Sequence, residues 1–304
     1  MSGLSRALRS GQVLSRSLKF ASAGKRKIVL LGKTGVGKSS TGNTILGEKV
    51  FVTASSSNSV TKKCEAHTRF IHGREITLID TPGFFDTDVP EEELKKEILK
   101  FNIECVTEDA PGPHAFVIVL QVGRFTTQEK ETVAKILQCV SEEALKHATV
   151  LFTHGYELKG RSIEQFVNEN EGLRDLVQKC GGRPQVFDNE FWNSTQQGRV
   201  MNNVFQVEEL LNTIDKMVEK NGCYTNEMLG VVRRKVLAEK EQIKKTSAGE
   251  MSEEEMTRMA RNKVLNKLLK KCLLVTAAVL LEAFLGVPLA SRLLIHTLSE
   301  LSSL

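Results

Sequence analysis

Residues 32–39 carry the pattern G-x-x-x-x-G-K-[ST] in the form G-K-T-G-V-G-K-S. Glycines let the backbone curl so that its N–H groups point inward at a phosphate. Lys38 would add a positive charge and Ser39 a hydroxyl group for Mg²⁺. The residues of this segment predicted to bind a nucleotide are Gly32, Thr34, Gly35, Val36, Gly37, Lys38, Ser39 and Ser40. The apolar run 27–31 before it and the Ser/Thr-rich run 39–47 after it provide the strand–loop–helix context that the motif requires.

A second chemical element is the D-T-P-G sequence at residues 80–83, directly after the apolar run 76–79. Asp80 would hold a magnesium-bound water, and the Gly83 N–H would detect the γ-phosphate of a nucleoside triphosphate. A Ser/Asn-rich stretch between the two elements precedes Thr61. A mobile loop with one threonine suits a magnesium-binding switch, so Thr61 is the predicted ligand and Ser59 the alternative. Ser39, Thr61 and Asp80 are therefore the predicted metal ligands.

The bulk composition is that of an ordinary globular protein. The chain has 304 residues, of which 40% are apolar and 26% charged, enough for one α/β domain and an extension. A net charge of +5 predicts no strong nucleic-acid binding. The six cysteines are scattered without a C-x-x-C pair, which predicts a reducing compartment and no disulfide partner.

Alternating strand and helix patterns over residues 25–222 predict the architecture that positions these motifs. Strands are expected at 27–31, 66–71, 75–79, 115–122, 148–153 and 184–188. Helices are expected at 91–107, 127–140, 163–179 and 203–220. His72-Gly73 predicts an antiparallel hairpin between the second and third strands. The predicted fold class is thus a three-layer α/β domain with a mostly parallel sheet and one antiparallel hairpin.

The two ends of the chain differ from this domain. Residues 1–24 are basic, serine-rich and free of acidic residues. This composition is typical of a mitochondrial transit peptide or of a disordered leader without a targeting function. Residues 223–304 predict a helical extension whose apolar segment, 272–295, follows a stripe of lysines, namely Lys263, Lys267, Lys270 and Lys271. The run 272–290 has Glu282 as its only charge, and a membrane span, an interfacial anchor and a helix packed on protein all remain open. The lysines before it favour an anionic membrane surface.

Several motifs together carry a family resemblance over about residues 25–222. They are V-T-K-K-C at 60–64, D-T-P-G-F-F-D at 80–86, G-P-H-A at 112–115 and G-R-F-T at 123–126. The chain resembles the immunity-associated GTPases (the GIMAP or IAN family, with an AIG-type G domain of the TRAFAC class of P-loop GTPases), which are relatives of septins and chloroplast-import GTPases. The resemblance implies binding of GTP and GDP with Mg²⁺. It also implies homodimers or homo-oligomers through the nucleotide face, hetero-dimers with family members, and a cytoplasmic location on a membrane surface; the leader leaves a mitochondrial location as the alternative.

The resemblance also frames the hydrolysis chemistry. Many small GTPases place a water-orienting glutamine directly after D-x-x-G, but this chain has Phe84 there, which predicts slow hydrolysis. Arg124 is the candidate catalytic arginine, reaching the phosphates of a dimer partner, and the alternative is that it only packs or forms ion pairs at the dimer surface. His114 is interpreted as a structural histidine near the start of a strand.

Base recognition departs from the common [NT]-K-x-D pattern. The equivalent stretch, residues 153–158, has Gly155 at the lysine position and Glu157 at the aspartate position. His154 would stack on the base, and Asn189 resembles the last base-contacting element of the family. A guanine preference is thus implied by the family alone. Three functions follow: a slow GTPase switch, a nucleotide-controlled scaffold with negligible hydrolysis, and a weakly base-selective NTPase.

Overall fold

A six-stranded sheet organises the part of the chain that the structure describes. The computed structural model describes residues 24–53, 64–81, 103, 105, 112–123, 125–140, 142–189, 203–247 and 251–274. The strands are β1 (Arg26–Leu31), β2 (Glu65–Ile71), β3 (Arg74–Asp80), β4 (Ala115–Gln121), β5 (Ala148–Thr153) and β6 (Gln185–Val186). Their order is β2-β3-β1-β4-β5-β6, and every neighbouring pair is parallel except β2 with β3. The predicted fold class is confirmed.

The antiparallel pair, β2 with β3, is the predicted hairpin. Its turn is His72-Gly73, with φ of 47° and 78°, and Ile71 pairs with Arg74 on either side of it. Two consecutive positive φ angles are the backbone of the type I′ turn, whose twist matches that of the strands it joins. This turn fixes the register of β2 with β3, in which Glu65 pairs with Asp80 at the far end of the hairpin.

Seven α-helices cover the sheet in the part of the chain that is described. They are α1 (Lys38–Leu46), α2 (Thr127–Val140), α3 (Ile163–Asn168), α4 (Glu171–Lys179), α5 (Asn203–Asn221), α6 (Glu227–Thr246) and α7 (Glu253–Leu274). The helix predicted at 163–179 is two helices, because the Asn170 side chain accepts a hydrogen bond from the Leu173 N–H and caps a new helix. Of the helix predicted at 91–107 only Ile103 and Cys105 are described; both are helical and buried.

The apolar strands are buried on both faces. Along β1, Ile28 and Leu30 belong to one core and Val29 and Leu31 to the other, so the alternating side chains serve two layers. The first core packs α1 and α5 on the sheet, and the second packs α2, α3, α4, α6 and α7. Burial on both faces explains why this strand is a continuous apolar run.

The helical extension shares the second core. Val232 and Val236 of α6 and Val264 of α7 are buried in the same cluster as the sheet residues. The segment that leads to α6 is tied to the domain by the Tyr224 N–H, which donates to the Pro113 carbonyl at 2.8 Å. A Cβ on Gly112 would lie 2.2 Å from the Tyr224 carbonyl oxygen, so this contact requires glycine. The division of the chain at 222 stays a prediction.

The predictions at the two ends fall mostly on residues outside the described ranges. Of the leader 1–24 only Gly24 is described, and of the apolar segment 272–295 only the end of α7. Among the described helices, none combines the length and apolar character needed to cross a bilayer.

Candidate nucleotide-binding site

The predicted phosphate loop lies at the carboxyl end of β1, between this strand and α1. Gly32 has a φ of 153°, and a Cβ there would lie 2.5 Å from the Val119 carbonyl oxygen of β4. Gly37, with a φ of 93°, immediately precedes α1. The loop therefore turns in a conformation and a space that only glycine fits at Gly32. The remaining predicted loop residues, Thr34, Gly35, Val36 and Ser40, lie in the same turn or in the first turn of α1.

Lys38 points back into this turn. Its side chain is buried, and Nζ donates to the Gly32 and Lys33 carbonyl oxygens, both at 2.9 Å. Within the described residues no side chain caps the amino end of α1. The first N–H groups of the helix and its dipole therefore face the space beside the ammonium group, an arrangement that suits a phosphate.

Two predicted magnesium ligands meet beside the loop. The Ser39 hydroxyl donates to Asp80 Oδ2 at 2.5 Å, although the two residues are far apart in sequence. Asp80 is 1% exposed at the end of β3, where it pairs in register with Leu30 of β1. A hydroxyl and a carboxylate side by side are the hard oxygen ligands that Mg²⁺ prefers, so these residues fit the ion. Thr61 and Gly83 lie outside the described residues and stay predictions.

The end of β5 and the loop after it adjoin the phosphate loop. The Thr153 hydroxyl donates to the Val36 carbonyl at 2.8 Å and so ties this loop to the phosphate loop. His154 has a left-handed backbone, with a φ of 59°, and its ring lies 5.9 Å from that of Tyr156 between centroids. Glu157 is exposed, in a short 3₁₀ helix, Gly155–Leu158. His154 and Glu157 thus lie in the expected loop, and their contacts with a base stay predictions.

Gly155 is held tightly against the neighbouring strand. Its N–H donates to the Phe187 carbonyl at 3.1 Å, and a Cβ would lie 3.0 Å from Val186 Cγ2. Any side chain here would require Val186 to move by a few tenths of an ångström. The packing at Gly155 is therefore tight, which disfavours the lysine of the common base-recognition pattern at this position.

Asn189 contacts helix α1 with its side chain. Its Oδ1 accepts from the Thr44 hydroxyl at 2.9 Å, and its Nδ2 donates to the Thr41 hydroxyl at 3.0 Å. Both threonines are buried, and neither was predicted as a site residue. Their spacing of three residues on a Ser/Thr-rich helix was a signal that could have found them. The predicted base contact of Asn189 stays a prediction, but its amide also connects the last loop of the domain to the phosphate-loop helix.

Arg124 lies outside the described residues, but both flanks of its segment belong to this edge of the sheet. Before it, the Val122 N–H donates to the Thr153 carbonyl at 3.0 Å. After it, Lys33 of the phosphate loop donates to Gln128 Oε1 at 2.8 Å near the start of α2. The described residues on either side of Arg124 thus contact the end of β5 and the phosphate loop.

His114 lies at the other end of β4 and has a structural role, as predicted. Its Nδ1 accepts from the Lys27 N–H at 2.9 Å, and its own N–H donates to the Lys27 carbonyl at 2.8 Å. Burial, together with the charges of Arg26 and Lys27, lowers the pKa of His114 to about 4. The ring is therefore neutral at pH 7 and joins β4 to β1.

The sheet order, the glycine loop and the Ser39–Asp80 pair define a protein with the P-loop GTPase fold. The model of the AIG1 family matches residues 26–247, and the chain belongs to this family. The resemblance predicted from the sequence is confirmed, and the match extends through α6.

Curated relatives agree with this assignment. Immune-associated nucleotide-binding protein 4 of Arabidopsis thaliana is 33% identical over 254 residues, which cover 81% of this chain and 74% of the relative. GTPase IMAP family member 8 of Homo sapiens is 33% identical over 196 residues, or 64% of this chain. That match spans 28% of the human protein, so most of the human protein lies outside the alignment.

Solved structures show the same fold at low identity. Toc33 from Arabidopsis thaliana in complex with GDP and Mg²⁺ is 20% identical, with a TM-score of 0.51 over 68% of this chain and 89% of Toc33. A structure described as showing that dimerisation is important for the GTPase activity of Toc33 and Toc159 has a TM-score of 0.52 at 20% identity, over 67% of this chain and 87% of that one.

Proposed function

We propose that this protein is a GTP-binding switch that hydrolyses GTP slowly with Mg²⁺ and dimerises through its nucleotide face in the GTP state. The observation that carries the proposal is the Ser39–Asp80 hydrogen bond of 2.5 Å beside the phosphate loop. The AIG1 assignment and the GTPase and nucleotide-binding names of the relatives support it.

The loop residues would hold the phosphates of GTP or GDP. Lys38 would exchange the Gly32 and Lys33 carbonyls for phosphate oxygens, which are stronger acceptors because they are charged. Ser39, Thr61 and Asp80 would hold Mg²⁺, which neutralises phosphate charge. Gly83 would contact the γ-phosphate through its N–H, and release of that phosphate would free the segment that follows it.

Hydrolysis would depend on a second protomer. Phe84 cannot orient water, so each protomer alone lacks a group that most small GTPases supply. Arg124 is our candidate for the missing charge, acting on the phosphates of the partner. The attachment of Val122 and Gln128 to this edge of the domain supports the assignment. The alternative is that Arg124 only packs or forms ion pairs at the dimer surface.

Hydrolysis measured over a range of protein concentrations tests this proposal. We expect the rate per molecule to rise with concentration and to fall by about 10³-fold in Arg124→Ala, the lower range for arginine fingers. Arg69→Ala is the matched control, because Arg69 is a surface arginine on β2 that pairs with Glu48. A rate that depends on neither concentration nor Arg124 would contradict catalysis in trans. No hydrolysis at all, with tight GTP binding, would favour the scaffold function.

A second candidate is a weakly base-selective NTPase. The observation that favours it is that the loop after β5 has a buried Gly155 where the common pattern has lysine and an exposed Glu157 where it has aspartate. Titration of labelled GDP and ADP separates the two functions: equal affinities support the NTPase, and a strong preference for GDP supports the GTPase.

We also propose a cytoplasmic location at a membrane surface, with attachment through segment 272–295 and with homodimers or hetero-dimers of family members as the assembled state. The lysines of α7 that precede this segment support the proposal. Flotation with liposomes before and after deletion of residues 272–304 tests it, and imaging of the protein with and without residues 1–24 tests the mitochondrial alternative.

A further inference from the structure

Two acidic residues bridge α6 and α7, and each contacts two lysines of the opposite helix. Glu239 of α6 accepts a short hydrogen bond from Lys267 and lies 3.4 Å from Lys263, both on α7. Glu253 of α7 lies 2.5 Å from Lys240 and 3.7 Å from Lys244, both on α6. The two clusters are alike in composition but differ in which helix provides the lysines.

The Glu239 cluster is covered on one side and open on the other. Glu239 is 7% exposed, whereas the side chains of Lys263 and Lys267 are 49% and 64% exposed. The hydrogen bond from Lys267 lowers the pKa of Glu239, so this carboxylate is charged at neutral pH. One buried negative charge thus offsets part of the positive charge of two lysines that still reach solvent.

These lysines belong to the stripe that precedes the apolar segment. Lys263, Lys267 and Lys271 recur every fourth residue, a spacing that aligns positions along one side of a helix. The sequence then continues into the apolar run 272–290. Positive charge directly before an apolar run suits an anionic membrane surface, whereas an acidic partner close to those lysines weakens that attraction.

We propose that Glu239 competes with anionic lipid headgroups for Lys263 and Lys267, so that α6 limits the membrane affinity of α7. This inference rests on the proposed membrane attachment. Binding of the stripe to anionic headgroups replaces the Glu239 contacts, and any change that weakens the α6–α7 pairing strengthens membrane binding.

The experiment is vesicle binding by the full chain with Glu239→Gln. We expect the partition coefficient on phosphatidylserine-containing vesicles to rise about fivefold, the factor for one net positive charge near the surface. Pure phosphatidylcholine vesicles should show no such rise. Adding Lys263→Gln and Lys267→Gln to the variant should remove the gain.

Glu253→Gln is the matched control. It changes the net charge equally and also breaks an ion-pair cluster between α6 and α7. Glu253 precedes Lys263 by ten residues, about 15 Å along a helix. That distance exceeds the screening length of about 8 Å at physiological salt, so we expect little change in binding.

The outcomes separate the competition from the attachment itself. Two outcomes would overturn the competition and leave the attachment standing. One is an equal gain in both glutamate variants. The other is no gain in Glu239→Gln while deletion of 272–304 still abolishes binding. Absence of binding by every variant overturns both. Circular dichroism of each variant shows whether the helices are retained. A gain in vesicle binding that accompanies a loss of helix counts against the proposal.

Discussion

The phosphate side and the base side of the site are built in different ways. The phosphate side is one continuous segment, residues 32–39, in which glycine conformations and the buried Lys38 shape the backbone itself. The base side combines the loop after β5 with Asn189. Its candidate side chains come from segments that are distant in sequence and are brought together by packing. In the proposed site a phosphate would therefore be bound largely by backbone groups of fixed conformation, whereas a base would be bound by side chains whose positions depend on packing between distant segments.

The two sides are nevertheless in contact. Thr153 donates to the Val36 carbonyl, and a Cβ on Gly37 would lie 3.3 Å from Thr153 Cγ2 and 3.4 Å from Asn189 Nδ2. The phosphate loop therefore fits against the base side at Gly37. Variants that disturb one side while sparing the other test how independent the two sides are.

The largest effect on nucleotide affinity is expected for Gly32→Ala. The new Cβ would lie 2.5 Å from the Val119 carbonyl oxygen, and the backbone conformation would be strained. Together these effects cost about 3 kcal/mol in the native loop conformation. The loop must therefore shift, and we expect GDP affinity to fall roughly 100-fold. Fluorescence anisotropy with labelled GDP measures the loss. Gly47→Ala is the control, because Gly47 has a φ of 69° but open space around it. Equal losses in the two variants would show that general strain, and not the crowding at Gly32, explains the result.

A smaller effect is expected for His154→Ala on the base side. Stacking on an aromatic side chain contributes about 1–3 kcal/mol per base, so we expect roughly a tenfold loss of GDP affinity. Pyrophosphate competition should be unchanged, because the phosphate loop is intact. Tyr156→Ala, which removes the neighbouring ring, is the comparison. If His154→Ala weakens pyrophosphate as much as GDP, His154 acts on the loop and not on the base.

A smaller effect still is expected for Asn189→Ala. The substitution removes two hydrogen bonds to Thr41 and Thr44, which lowers the free energy of unfolding by about 2 kcal/mol. GDP and ADP affinities should fall together by only a few fold, because the lost contacts support α1. Thermal denaturation and parallel titrations check this. A selective loss of GDP affinity would instead assign Asn189 to base recognition.

Substitution of His114, which lies at the end of β4 away from the phosphate loop, is expected to leave nucleotide affinity unchanged. The native state keeps His114 neutral down to a pKa of about 4, whereas the unfolded chain protonates near 6.5. Stability is therefore retained above pH 6.5 and falls between pH 6.5 and 4, by on the order of 1–2 kcal/mol from this group. In His114→Asn, which keeps an acceptor for the Lys27 N–H, denaturation at several pH values should show a shallower fall. An identical pH profile in the variant would exclude this origin.

Much of the fold was predictable because its signals are local. Residues 127–140 form the predicted helix, and the His72-Gly73 turn forms the predicted hairpin. The break at Asn170 was missed because a continuous apolar spacing hid a capping side chain. The pairing of Lys263 and Lys267 with Glu239 was also missed, since spacing within one helix says nothing of the helix packed against it.

The sequence by itself determined the phosphate loop and the family, because glycine conformation, the lysine charge and the strand before the loop all act within a few residues of one another. Only the tertiary structure decided that Gly155 packs against β6 and that Asn189 holds the phosphate-loop helix. These contacts join residues up to 148 positions apart. Their geometry depends on strand order and helix packing, which a local pattern does not encode.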